Sequence, residues 1–368
     1  MNNYAVIMAG GVGTRFWPKG TSKIPKQFLK IATDNETLIQ QAYKRLEGIF
    51  RDERIFIVTN VTYRNEVKKQ LPKIPEENII CEPMGRNTAP CIGLACLFIG
   101  HFEPKANVLV VAADHLIEDV DEFHRIIVTG LAFTQDNGGI VTLGIHPTHP
   151  ETGYGYIQYD ADNFTDVEFE RKGNVLTEKV YKVKTFAEKP NLEVAKSFLE
   201  SGDFLWNSCM FIFRTDTMSR EISEFMPDLF ESLARLQTKL FEPDFAKHLE
   251  EEYSKLKSIS IDYGVMEKSK SVHIIRSKFG WNDVGAWDEV YNIKEKDADG
   301  NVKQGRTVTI DTKNCLIIND QKILATIGVE DLLIINTDNG LLICRRGEAQ
   351  SVKEVVDYLR RKGMEQFL

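Results

Sequence analysis

Three glycines, an arginine and a lysine stand close together near the start of the chain: Gly10, Gly11 and Gly13, then Arg15, then Lys26 between Pro25 and Gln27. The glycines follow the apolar run "YAVIMA", which places them at the mouth of a predicted strand. Glycine lets backbone N–H groups approach an anion closely, and a run of such groups makes a concavity that suits phosphate. Arg15 adds a planar fork for bidentate phosphate binding, and Lys26 adds a second cation. A polyphosphate would use both. The stretch is not a dinucleotide fingerprint, because Phe16 stands where the third glycine of GxGxxG belongs. A GxxxxGK followed by Ser or Thr is also absent. An ordinary strand-to-helix turn is the plain alternative, and the two cations weigh against it.

Carboxylates and one more lysine complete the reactive set. Asp114 follows "VLVVAA", the carboxyl end of a predicted central strand, where open α/β sheets place ligands; capping the next helix is its plain alternative. Asp283 lies in "GWNDVGAWD" beside glycine and tryptophan turns, and Asp288, close by, ranks below it. Glu188 and Lys189 lie in "FAEKP". Pro190 fixes the backbone there and Asn191 starts a helix, which favours a function over a surface ion pair.

These residues need elements to hold them. Predicted strands at 4–9, 54–59, 78–81, 107–112 and 139–145 alternate with helical segments at 36–48, 62–71, 88–101 and 120–135. Near-continuous apolar strands in that alternation indicate a mostly parallel sheet covered by helices. From 153 to 215 the strands are amphipathic, interrupted by a helix that Asn191 caps and Gly202 ends; helices follow at about 216–226 and 228–241. Beyond Gly300, short strands separated by Asn, Asp and Gly turns read as an all-β unit of stacked coils, closed by a helix from about 350 to 361. The expected domains are 1–295 and 305–368, joined by a polar linker.

Bulk properties narrow the class. The net charge is −8, with Lys and Arg scattered among acids, which argues against a nucleic-acid surface while leaving room for one positive pocket. Six cysteines without a CxxC pair read as reduced thiols of a cytoplasmic protein, and "HPTHP" reads as a loop rather than a zinc site. No charged leader and no stretch of roughly 20 apolar residues is present, so no membrane partner is expected.

Eight pieces in order across residues 9–288, "AGGVGTRFWP", "PKQFL", "EPMGRNTAP", "AADH", "GYGYI", "FAEKP", "WNSCMF" and "WNDVGAWD", resemble the sugar-1-phosphate nucleotidylyltransferases, and within them the mannose-1-phosphate guanylyltransferases. The C-terminal strands look like that family's β-helix-like unit. The resemblance implies a Rossmann-like fold of the nucleotide-diphospho-sugar transferase type. It implies transfer of GMP from GTP to mannose 1-phosphate, with Asp114 and Asp283 holding Mg²⁺. By the same resemblance the nucleotide lies on Gly10, Gly11, Gly13, Thr14, Arg15 and Lys26, and Lys189 grips the sugar phosphate. Sugar contacts fall to Glu188, to Asn207, and to Gly153 and Gly155, whose missing side chains leave room for a ring. Base choice is assigned to Glu82, since one ionised carboxylate can accept both adjacent donors of guanine. Arg86, Asn87 and Thr88 are placed around the same pocket, with Thr88 equally able to cap a helix.

One departure stands out. Cys209 occupies a position where the family carries glycine, so it either narrows the sugar pocket and shifts Asn207, or packs behind the strand. Other readings are a guanylyltransferase for another sugar 1-phosphate, a non-catalytic sugar-nucleotide sensor and, more distantly, an NAD-dependent oxidoreductase. With the chain ending at Leu368 no isomerase activity is expected. Apolar residues of the β unit (Leu316, Ile318, Leu332, Ile334, Leu341, Ile343) are expected to form a homo-oligomer surface, and truncation at 300 to spare the nucleotide pocket.

Overall fold

The computed structural model describes residues 2–11, 13–171 and 173–368; Val12, inside the glycine stretch, lies outside them. Two compact units emerge, and each gathers segments far apart in sequence.

The first unit comprises Met1–Gly10, Tyr43–Ala112 and Ile117–Trp281. Its strands are β1 (Asn3–Ala9), β2 (Ile55–Asn60), β3 (Ile79–Glu82), β4 (Asn107–Ala112), β5 (Ile140–Ile145), β6 (Gly155–Arg171), β7 (Asn174–Glu188), β8 (Phe204–Arg214) and β9 (Val272–Ser277). Among the described residues they form one sheet in the order β3-β2-β1-β4-β8-β5-β9-β7-β6. The β1–β2, β1–β4, β2–β3 and β5–β9 pairs are parallel, while β8 runs antiparallel between β4 and β5. The sheet is thus mostly parallel in the half that the apolar runs predicted. Helices α2 (Arg64–Gln70), α3 (Thr88–Phe102), α4 (Val120–Asn137), α5 (Leu192–Ser201), α6 (Thr215–Phe225), α7 (Pro227–Gln237) and α8 (Phe245–Lys255) accompany it, and the division between the units falls within α1 (Leu38–Lys44). One core joins Val6, Val58, Val108 and Val110 of the sheet to Ile92 and Ile99 of α3 and Ile222 of α6. Asn191 caps α5 by accepting the Val194 N–H at 3.0 Å, and Gly202 ends it at φ 75°. Among the described residues no helix is long and apolar enough to cross a membrane. A cavity of about 310 Å³ lined by Cys96, Leu97, Phe230 and Leu233 holds none of the expected site residues.

The second unit comprises Gly11–Ala42, Ala113–Leu116 and Asn282–Leu368. Strands β10 (Val302–Ile310), β11 (Leu316–Ile327), β12 (Leu332–Thr337) and β13 (Gly340–Arg345) pair in chain order, the first two pairings parallel, between α9 (Trp287–Ile293) and α10 (Val352–Arg361). The core packs Phe16, Trp17, Leu29 and Ile31 with Trp287, Leu316, Ile318, Leu333, Val352 and Leu368. The Trp17 indole donates to the Phe367 carbonyl at 2.8 Å, the Trp287 indole to the Trp17 carbonyl at 3.1 Å, and Asn339 Nδ2 to the Pro18 carbonyl at 3.2 Å.

That core overturns two expectations. A chain cut at 300 would lose the walls around Phe16 and Trp17, next to Arg15, so the strands beyond 305 cannot be removed without touching the glycine stretch. Leu316 and Ile318 are buried rather than displayed because residues 11–42 pack on them, while Ile334 is buried and Leu332 half-buried in a second cluster, with Cys315 and Ile317, inside the stacked coils. On the strands of this unit the exposed large apolar residues among those described are Leu341 and Ile343, as expected, together with Val308, Ile310, Ile323 and Ile327.

Candidate active site

In the second unit the glycine stretch and Lys26 form one structure. Gly13 adopts φ 55°, and a Cβ there would meet the Lys26 backbone nitrogen at 2.8 Å. Only glycine suits both conditions. Thr14 and Arg15 follow in a short 3₁₀ turn, and Gln27 Nε2 donates to the Gly11 carbonyl at 3.0 Å. Arg15 is exposed and, among the described residues, has no ion-pair partner. Lys26 is 6% exposed; its ammonium donates to Asp114 Oδ2 at 2.9 Å and to the Asp283 backbone carbonyl. Burial alone would raise the Asp114 carboxyl, but Lys26, helped by His115, holds it below the usual carboxylate range. One buried lysine therefore ties Asp114 to the segment that carries Asp283. Two hard, charged oxygen donors of this kind suit Mg²⁺, with phosphate oxygens and water filling the remaining positions. Asp288 is spent elsewhere: its carboxylate accepts the Gly347 N–H at 2.7 Å and the Ala349 N–H at 3.2 Å.

In the first unit Glu82 ends β3 and Gly10 follows β1. The Glu82 side chain is 4% exposed, and its Oε1 has no hydrogen-bond partner. Burial pushes the carboxyl up to about 7, with the Tyr253 hydroxyl pulling the other way. A Cβ on Gly10 would lie 3.5 Å from Glu82 Oε2, so the glycine keeps the space beside this carboxylate clear. Arg86, Asn87 and Thr88 shape the chain around it. The Arg86 guanidinium donates to the carbonyls of Tyr253 (2.9 Å) and Ser254 (3.1 Å) at the end of α8. Asn87 is the N-cap of α3, and Thr88 Oγ1 accepts the Ile261 N–H at 2.9 Å.

Gly155, Glu188, Lys189 and Asn207 also come together in the first unit. A Cβ on Gly155 would strike Glu188 Oε2 and lie 3.2 Å from Asn207 Cβ. The Glu188 side chain is 6% exposed, Oε1 pairs with Lys189 Nζ, and Oε2 is buried without a partner. Burial alone would lower the Lys189 ammonium, but Glu188 raises it. Lys189 holds a positive φ of 50°, and Gly153 lies in an exposed loop. Edge-to-face contacts of Trp281 with Tyr154 (5.1 Å) and of Tyr154 with Trp206 (5.2 Å) brace that loop.

Asn207 owes its direction to a bulge. Between Thr142/Phe211 and Gly144/Asn207 the β5–β8 register takes up two extra residues on β8, and Cys209 within it has φ 55°. Bulges of this kind favour glycine in the left-handed conformation. Cys209 therefore carries strain, while its N–H donates to Asn207 Oδ1 at 3.0 Å and keeps Asn207 in place. Cys209→Gly is expected to raise stability by about 0.5–1 kcal/mol, the relieved strain offset in part by glycine's entropy. Thermal unfolding measures it, and a lower Tm in the glycine variant would contradict the strain.

Sequence reasoning missed Asp262. It heads a single π-turn, closed by the Glu267 N–H on its carbonyl at 3.0 Å, and its Oδ1 accepts Asn207 Nδ2 at 2.8 Å. Burial, then the charge of Glu188, raises its carboxyl to about 6, against the Asn207 hydrogen bond and Lys189. "SIDYGVMEK" carries no spacing that announces a site; helix α8, equally unforeseen, leads into it.

Comparison with known proteins agrees with this picture. Residues 4–300 match the nucleotidyl transferase family and residues 305–359 the MannoseP isomerase/GMP-like beta-helix domain. The chain is 38% identical over 367 residues to a mannose-1-phosphate guanylyltransferase of Escherichia coli, covering 97% of this chain and 76% of that one. It is 36% identical over 368 residues to one of Klebsiella pneumoniae, covering 98% and 75%. A crystal structure from Thermus thermophilus, described as a mannose-1-phosphate geranyltransferase, superposes with a TM-score of 0.84 at 31% identity, covering 98% of this chain and 100% of that one. The chain belongs to the sugar-1-phosphate nucleotidylyltransferases, in the mannose-1-phosphate guanylyltransferase family.

Proposed function

We propose that the chain transfers GMP from GTP to mannose 1-phosphate, giving GDP-mannose and pyrophosphate. The observation that carries the base assignment is the buried Glu82 carboxylate, with one oxygen lacking a partner beside side-chain-free Gly10. Guanine presents N1–H and an amino group side by side, and an ionised carboxylate accepts both. Glu188 Oε2, equally buried and unpartnered, calls for a hydroxyl donor, which a sugar supplies.

In this reading an oxygen of the sugar phosphate bonds to the α-phosphorus as the bond to the bridging β-oxygen breaks, and pyrophosphate leaves with the electron pair. The attacking phosphate arrives ionised, so no protein nucleophile is needed; the work is alignment of two anions and reduction of their repulsion. Arg15 and the N–H groups of Gly11 and Gly13 hold the triphosphate, Lys26 adds positive charge beside Asp114, and Lys189 holds the sugar phosphate. Asp114 and Asp283 would hold Mg²⁺, which neutralises phosphate charge when bound.

The test is pyrophosphate release from a panel of sugar 1-phosphates against GTP, ATP, UTP and dTTP. Mannose 1-phosphate with GTP should give the highest kcat/KM, and a clear preference for another pair would refute the assignment. Lys189→Ala should raise KM for the sugar phosphate at least about tenfold, the worth of one charge-assisted hydrogen bond, and leave KM for GTP within about twofold. A rise confined to GTP would reverse the division of labour.

The homo-oligomer belongs to the same reading, on a different surface from the one expected. Ile310 pairs with Ile327 and Val308 with Ala325 on β10, an edge strand of its sheet, and β11. An exposed apolar edge is a template for association. Ile310→Lys with Ile327→Lys should lower the sedimenting mass; an unchanged mass would exclude this face.

A further inference from the structure

The hydrogen bonds around Asn207 leave its amide no freedom to turn over. Its Oδ1 takes the Cys209 N–H at 3.0 Å and faces the Thr142 hydroxyl at 3.4 Å, whose proton goes to the Met210 carbonyl at 3.1 Å, while Nδ2 gives one proton to Asp262 Oδ1 at 2.8 Å. A flipped amide would face its oxygen to the Asp262 carboxylate and its NH₂ to the Cys209 N–H. Oδ1 is therefore turned inward, to the Cys209 N–H and the Thr142 side chain, and one Nδ2 proton remains, with only the weak acceptor Cys209 Sγ at 3.7 Å. Glu188 Oε2, buried and without a donor, lies on the same side: a Cβ on Gly155 would meet both it and Asn207.

We propose that Asp262 is a positioning residue for sugar recognition, locking Asn207 so that position 207 offers a hydrogen-bond donor and no acceptor, next to the acceptor Glu188. A hydroxyl that accepts from one side and donates to the other matches that pair, so the site selects a hexose 1-phosphate by one particular hydroxyl. The placement of Asp262 supports a dedicated role. It is 5% exposed, has no arginine partner among the described residues, and is aimed by a π-turn, an uncommon local structure that occurs often at functional sites. A buried carboxylate costs stability that an apolar residue would not. This inference rests on the sugar-phosphate reading given above.

The experiment measures kcat and KM for mannose 1-phosphate and its 2-, 3-, 4- and 6-deoxy analogues at saturating GTP, in wild type, Asp262→Leu and Asp262→Asn. Asp262→Leu should raise KM for mannose 1-phosphate about tenfold, with kcat and the KM for GTP within about twofold. Asp262→Asn keeps an oxygen that accepts from Asn207 and should stay within about threefold of wild type. The tenfold penalty should vanish for a single deoxy analogue, the one lacking the hydroxyl that Asn207 contacts. A structural role would instead penalise every analogue equally, and that result, or an unchanged KM in Asp262→Leu, overturns the inference. Should Asp262→Leu not fold, Asp262→Ser carries the same test, since its hydroxyl is too short to hold Asn207. A wild-type enzyme that turns over no mannose 1-phosphate refutes the functional reading and this inference with it; normal wild-type turnover with a uniform penalty refutes this inference alone.

Discussion

Asp114→Asn and Asp283→Asn should each lower kcat by at least about a hundredfold, and the first should also leave a buried lysine without its counter-charge and weaken the fold more. Each substitution removes one of the two charged oxygen donors assigned to Mg²⁺, and metal-assisted neutralisation of phosphate charge is worth several kcal/mol in the transition state. The two differ in what they leave behind. Lys26 is buried and donates to the Asp114 carboxylate, so asparagine at 114 strips the ammonium of its counter-charge. Breaking a fully buried pair costs about 3–5 kcal/mol, and the partly exposed Asp114 side chain reduces this to about 1–3 kcal/mol. From Asp283 the same lysine takes the backbone carbonyl, which asparagine retains. Turnover with saturating Mg²⁺, set beside thermal unfolding, reads both effects. Near-normal turnover in either variant would remove that carboxylate from the metal site, and equal losses of Tm would contradict the asymmetry.

Guanine selection through Glu82 is the second large effect, and its sign with pH follows from burial. The carboxyl is raised to about 7, so it is mostly protonated below that value and ionised above it. Only the ionised form accepts both guanine donors, so the preference for GTP over ATP should grow as pH rises from 6 to 8. At pH 6 about one tenth of the ligand-free protein is ionised, which sets a change of up to about tenfold. The ratio is the useful quantity, because both nucleotides carry the same titrating triphosphate. Glu82→Gln turns an NH₂ group toward guanine's own amino group and should cost at least about tenfold in kcat/KM for GTP, the equivalent of roughly 1.4 kcal/mol. It should improve dTTP relative to GTP and flatten the pH dependence of the GTP/ATP ratio. A wild-type ratio in the variant would mean that backbone groups or the neighbours of Glu82 read the base.

The parallel strands were legible because buried strands read as apolar runs, "VLVVAA" above all, and the helix at 192–201 because its cap and its terminal glycine are local signals. Helix α8 was not, since "FAKHLEEEYSK" buries little beyond Leu249, Glu252 and Tyr253. The glycine stretch and Lys26 could be connected from sequence because both are charge and turn chemistry within one short segment. Asp262 could not, because its partner Asn207 lies 55 positions away and is turned toward it by a bulge that "WNSCMF" does not spell out. Leu316 and Ile318 are buried against expectation for a related reason: apolar pattern says that a residue will be covered, not which distant segment covers it.

The core shared by Phe16, Trp17 and the strands beyond Val302 also bears on how the protein is made. Residues 11–42 leave the ribosome about 260 residues before the segment that completes their packing. At about 5–20 residues per second, that is roughly 15–50 seconds during which Trp17 has neither the Phe367 carbonyl nor the Trp287 indole to hold it. The first unit includes nothing beyond Trp281 and can assemble earlier, so the surroundings of Glu82 form before those of Arg15 and Lys26. On the proposed reading, a nascent chain would hold a nucleoside before it could act on its phosphates, and turnover would wait for the strands beyond Val302.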